Sequence, residues 1–154
     1  MPAGQKSPWN RRDSSEETRM TNDTISLDDA RRVIGGAEKR AEEIGQPQNI
    51  AVVDSGGTLV THVRMDGAWL GSVDISINKA WTARAFDSET RALKDDSQPG
   101  GPLFGIHASN GGRVMIFAGG VPLTRDGHIV GAVGVSGGDD TQDQTVAEAG
   151  AAAL

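Results

Sequence analysis

An α+β fold, in which an antiparallel sheet of about five strands carries helices packed on it, is predicted for this 154-residue chain by three observations. Its β-rich runs come in adjacent pairs around short Gly-containing turns. Its two clearest helical patterns flank the first of those pairs rather than alternating with single strands. A long Gly- and Pro-rich stretch then separates that half from a second hairpin set and a last helix. Hairpins join antiparallel neighbours, whereas a doubly wound sheet needs a crossover helix after each strand.

The first helix opens at Ser26, with Asp28 and Asp29 in its first turn, and closes at Gly45 and Pro47, a full set of start and stop signals. Leu27, Ala30, Val33, Ile34, Ala37, Ala41 and Ile44 recur at spacings of three and four, so one stripe is buried. Gly35 and Gly36 weaken the helix by about 1 kcal/mol each relative to Ala, which close packing against a sheet would explain. Runs at 49–54 and 58–65 flank Ser55-Gly56-Gly57 and read as a hairpin. A second helix is predicted over 69–86, apolar nearly all round, with Lys79 inside one of its apolar stripes. Residues 87–113 form a loop of a length that usually serves as a lid or binding segment. Strands follow at 114–118, 121–123 and 129–136, the last two joined through Arg125-Asp126-Gly127-His128. Asp139 or Asp140 then caps a final helix.

Composition narrows the function classes. The length suits one domain, placed at 25–154. Residues 1–24 are polar, hold Pro2 and Pro8, and read as an arm, flexible or docked through Trp9 on a neighbouring subunit. No apolar run approaches the ~20 residues of a membrane span and no secretory signal is evident, so a cytoplasmic protein is expected. The absence of Cys removes disulfides and thiolate chemistry. A net charge of −6 argues against a nucleic-acid partner, which needs clustered Lys and Arg.

Three stretches, AVVDSGGTLVTHVRMDGA at 51–68, INKAWTARAF at 77–86 and GGVPLTRDGHIVGAVGVSGG with QDQTVAEAG at 119–150, together resemble the GlcG/HbpS-like family, also found as the C-terminal part of PduO-type proteins. The resemblance covers roughly residues 25–154. It implies an α-β-α sandwich assembled as a homo-oligomer. It also implies a small-molecule ligand, haem being one possibility, in a pocket between helix 69–86 and the sheet. Fold-level likeness does not choose the ligand.

Four residues stand out as site candidates. Lys79 places an ammonium in an apolar stripe, which is costly unless it is paired, and so suits an anion anchor or a general base. Arg64 can clamp a carboxylate in two-point fashion, and Asp66 can pair with Lys79, act as an acid/base, or only shape its turn. Of the three histidines, His128 falls in a hairpin turn and His62 alternates along a strand, while His107 lies in the long loop, a better position for a haem contact. No local spacing of His and carboxylates suggests a zinc site, and no phosphate-binding Gly motif is present.

Two functions are therefore carried forward. One is a haem or carboxylate binder using His107, Lys79 and Arg64. The other is a cofactor-independent isomerase, tautomerase or lyase for a small carboxylated metabolite, with Lys79 and Asp66 exchanging protons and Arg64 holding the carboxylate. An accessory subunit without a ligand is the plainest alternative.

Overall fold

The computed structural model describes residues 23–154. The arm predicted over 1–24, Trp9 included, lies outside the described residues except at its end, where the chain is already tied to the sheet. The Thr24 hydroxyl accepts the Ser55 N–H at 3.0 Å, and the Ile25 N–H donates to the Val130 carbonyl at 2.9 Å.

Helix α1 spans Leu27–Ile44 with the predicted caps in place. The Ser26 side chain accepts from the Asp29 N–H, Asp29 returns the bond to the Ser26 backbone, and Gly45 closes the helix in the left-handed region at φ 68°. Strands β1 (Asn49–Asp54) and β2 (Leu59–Arg64) form the first hairpin. Helix α2 spans Ser72–Ala85, shorter than the 69–86 pattern because Trp69 to Gly71 form a turn whose Trp69 carbonyl accepts from the Asn49 side chain at 2.9 Å. Strands β3 (Gly120–Arg125) and β4 (His128–Ser136) make the second hairpin, and α3 (Asp140–Ala152) follows with its own capping box from Asp139.

The sheet is antiparallel with order β2-β1-β4-β3, so it has four strands rather than about five. The difference is the segment 114–118. Its backbone is held by a side chain instead of a neighbouring strand: Thr82 Oγ1 donates to the Arg113 carbonyl and accepts the Met115 N–H, both at 3.1 Å. Val114 is buried without joining the ladder.

Alternation along β1 separates two faces. Ile50 and Val52 join Val33, Ala37, Val133, Val135 and Val146 in the main core beneath α1 and α3. Ala51 and Val53 face Ala80, Ala83 and Ala132 under α2. The fold is thus an α-β-α sandwich. Gly36 serves the contact between α1 and α3 rather than a contact with the sheet: a Cβ there would lie 2.7 Å from the Ala153 Cβ and 3.0 Å from the Ala149 carbonyl, whereas Gly35 faces open space. Among the described residues no helix is long and apolar enough to cross a membrane.

Candidate functional site

Helix α2 turns an unexpected face inward. Ser72, Ser76, Lys79, Ala80, Thr82 and Ala83 are buried, while Trp81 is only half-buried and Phe86 is exposed. The cause is Gly134 in β4. A Cβ there would stand 2.0 Å from the Ser76 carbonyl and 2.4 Å from the Ala80 nitrogen, so helix backbone lies directly on strand backbone. At this crossing the expected pocket between helix 69–86 and the sheet is closed by backbone contact. Open space along the helix is found instead toward its C-terminal end, where Trp81, Arg84 and Ala85 and the β1–β2 turn (Ser55, Gly56, Gly57) line a cleft of about 180 Å³.

Lys79 is the largest wholly buried side chain among the described residues. Its Nζ donates to the Val135 carbonyl and to Asp143 Oδ2, both at 2.8 Å, and lies 5.1 Å from the centre of the Phe117 ring. Asp143 Oδ1 accepts the Gly138 N–H at 2.8 Å. Burial pulls the Lys79 pKa down and the Asp143 pKa up, while each partner's charge opposes that drift. Both oxygens of Asp143 are engaged and Nζ is bonded twice, so the hydrogen bonds within the pair work against what burial does to each group. Gly119 makes room for it, since a Cβ there would lie 2.9 Å from Nζ and 2.4 Å from the Val135 carbonyl.

The expected pairing of Lys79 with Asp66 is not formed. Asp66 and Arg64 are exposed together at the end of β2, where they line an open cleft of about 400 Å³ with Glu38, Glu42, Val63 and Met65. Among the described residues Arg64 is the single cation lining that cleft. His62, behind it on β2, has a buried Nε2 without a hydrogen-bond partner among the described residues, and its pKa is lowered by burial and by the Arg64 charge. His128 is exposed in its hairpin turn.

His107 sits elsewhere, exposed in a short 3-10 turn (Ile106–Ala108) of the long loop. Its imidazole stands edge-on to Phe104, with centroids 6.5 Å apart, and Leu103 and Phe104 beside it are also exposed. The structure therefore brings Arg64 and Asp66 together, and holds Lys79 and His107 at two separate places.

Sequence reading missed a further cleft of about 360 Å³ between the 3-10 turn Thr90–Leu93 and α3. Its walls include Arg91 and Lys94 on one side and Asp140 and Glu148 on the other. Lys94 Nζ is 2.6 Å from Asp140, and Arg91 Nη2 is 3.6 Å from Glu148. Gln144 forms part of the floor and accepts the Gly119 N–H at 3.1 Å, which joins this cleft to the backbone beside Lys79. Asp143 was missed too, although Asp143, Val146, Ala147 and Gly150 recur at helical spacing on the buried face of α3.

Likeness to known proteins agrees with this architecture. The family profile for haem-degrading HbpS-like proteins matches residues 25–152. A 15.0 kDa protein encoded in the dhaT-dhaS intergenic region of Citrobacter freundii is 43% identical over 125 residues, covering 81% of this chain and 88% of that protein. The corrinoid adenosyltransferase PduO of Salmonella typhimurium is 37% identical over 130 residues, which cover 84% of this chain but 39% of PduO. The crystal structure of a PduOC:heme complex superposes with a TM-score of 0.82 at 37% identity, over 85% of this chain and 95% of the other.

Proposed function

Because this chain belongs to the family of haem-degrading HbpS-like proteins, we propose that it is a small-molecule-binding protein whose ligand is haem or another carboxylated molecule. The observation that carries the reading is the exposed His107 beside Phe104 and Leu103: an imidazole free to meet a ligand, next to apolar surface that a planar ring can cover. Support comes also from the relative solved as a haem complex. Haem, when bound, would supply a redox-active iron.

The donor set suits such a ligand. Cys and Tyr are absent from the chain, so an imidazole is the strongest candidate to hold the iron, and the exposed His107 would offer one. Arg64 remains the first candidate for the ligand's carboxylates, with Arg91 as a rival whose cleft holds a second cation, Lys94. Lys79, the other candidate for an anion contact, already has its Nζ on Asp143 and the Val135 carbonyl, so in this reading it holds the backbone around Gly119 and Val135 and leaves the ligand to other residues. The reading includes a homo-oligomer, supported by Trp69 and Leu70, which are 68% and 76% exposed side by side.

The test is a haem titration of the full chain followed by absorbance, with His107→Ala, Arg64→Ala, Arg91→Ala and Lys79→Ala variants beside it. A saturable Soret shift that is lost in His107→Ala and weakened by one arginine variant is expected. A flat titration of the wild-type chain would overturn the haem reading.

A further inference from the structure

We infer that Asn110-Gly111 is a site of spontaneous covalent modification, at which Asn110 deamidates to aspartate and isoaspartate. Four features meet there. Asn110 is exposed, together with Gly111 and Gly112, within a run of exposed residues from His107 to Arg113. Gly111 has no side chain to shield its nitrogen, and its φ of 66° shows a backbone free of the restrictions on other residues. Among the described residues its N–H makes no hydrogen bond, whereas the N–H of Gly112 donates to the Ser109 carbonyl at 2.9 Å and that of Arg113 to the Asn110 carbonyl at 3.3 Å. The Ser109 hydroxyl lies 2.5 Å from the Ile106 carbonyl and 3.0 Å from Asn110 Oδ1, so its one proton is shared between two acceptors, and when turned to Asn110 it makes the side-chain carbonyl carbon more electrophilic.

The step balances without any other partner than water. The Gly111 nitrogen gives up its proton and bonds to Asn110 Cγ, closing a five-membered imide ring. The Cγ–Nδ2 bond breaks and ammonia leaves with the proton. Water then opens the ring at either carbonyl, giving aspartate at one and isoaspartate at the other. Ring closure is favoured because both reacting groups belong to adjacent residues. Asn49 and Asn78 lack this arrangement: Asn49 is buried in β1 and followed by Ile50, and Asn78 lies within α2 before Lys79.

The product places a new carboxylate in the same loop as His107 and three residues from Arg113, whose guanidinium carbon lies 4.1 Å from the centre of the Trp81 ring. The isoaspartate form also lengthens the backbone by a methylene at the loop tip. The modification rests on the loop's own geometry, whether or not His107 meets a ligand.

The folded full chain is incubated at neutral pH and physiological temperature, sampled over days, and digested under mildly acidic conditions. The peptide 95–113, which contains Asn110 as its single Asn, is analysed by mass spectrometry, and isoaspartate is detected by enzymatic methylation. Asn110 is expected to convert faster than Asn78 or Asn49 by roughly tenfold or more, since those two need local opening first. Ser109→Ala is expected to slow conversion, and Asn110→Gln to abolish the methylation signal. Conversion at Asn110 no faster than at Asn78 in the folded protein would overturn the inference, and an unchanged rate in Ser109→Ala would remove the hydroxyl from it.

Discussion

Lys79 of α2 and Asp143 of α3 meet at 2.8 Å although their helices lie on opposite faces of the sheet. The lysine side chain passes Gly119, just before the outer strand β3, and takes the Val135 carbonyl on the way. Three layers are therefore fastened at one buried point.

Removing one member strands the other charge in the interior. Lys79→Met or Asp143→Asn is expected to cost about 3–5 kcal/mol in urea unfolding. The double variant Lys79→Met/Asp143→Leu should lose clearly less than the sum of the single losses, because no unpaired charge remains. Additive losses would show that the pair is not coupled.

Glycine positions of the same chain should respond in opposite ways. Gly134→Ala drives a methyl into the Ser76 carbonyl and is expected to destabilise by about 3 kcal/mol or more, or to prevent folding. Gly35→Ala adds a methyl in open space on an exposed helix face and is expected to stabilise by up to ~1 kcal/mol. Thermal unfolding of the two variants checks both signs.

Acid sensitivity has an identifiable source in Asp29. Burial pushes its carboxyl up, but Arg125 at 2.7 Å, the Ser26 backbone and the Ser26 hydroxyl outweigh burial and bring the pKa to about 2. Arg32 pairs with the other oxygen. Since the folded value lies below the ordinary 3.8 of a free Asp, the stabilisation is complete above pH 3.8 and disappears as pH falls through about 2. It amounts to at most about 2 kcal/mol, reduced by the partial exposure of both arginines. Asp29→Asn should lower stability at neutral pH and flatten the loss in that acid window. An unchanged acid slope would assign the loss to other carboxylates.

The proposed assembly is checked by sedimentation. Trp69→Ser/Leu70→Ser is expected to leave circular dichroism intact and to lower the molecular mass, because both side chains are exposed in the single chain and carry no core packing. An unchanged mass would place the interface elsewhere.

Local signals read well in this sequence, and long-range ones did not. The capping residues Ser26, Asp29 and Gly45 act on their own helix, so their meaning survives without the rest of the structure. The hairpins around Gly57 and Gly127 are legible for the same reason. The segment 114–118 has strand composition but lost its ladder to the Thr82 hydroxyl, a competitor about thirty residues away whose role no periodicity reveals. Lys79 was recognisable as a residue in need of a partner. Which carboxylate would meet it depended on how the chain passes the sheet edge, and Asp66, closer in sequence, ended at a different cleft.

The closeness of α2 to the sheet has a dynamic consequence. Its facing residues are mainly Ala, Ser and Gly, so little hydrocarbon leaves water when the helix settles, and short-range dispersion has to do what area does under α1. Such contacts vanish over a fraction of an ångström. The α2 layer should therefore behave as a rigid plate, fully seated or fully detached, with the lysine as its rivet. In amide exchange its protons should be released as one cooperative set, ahead of those in β1 and β4.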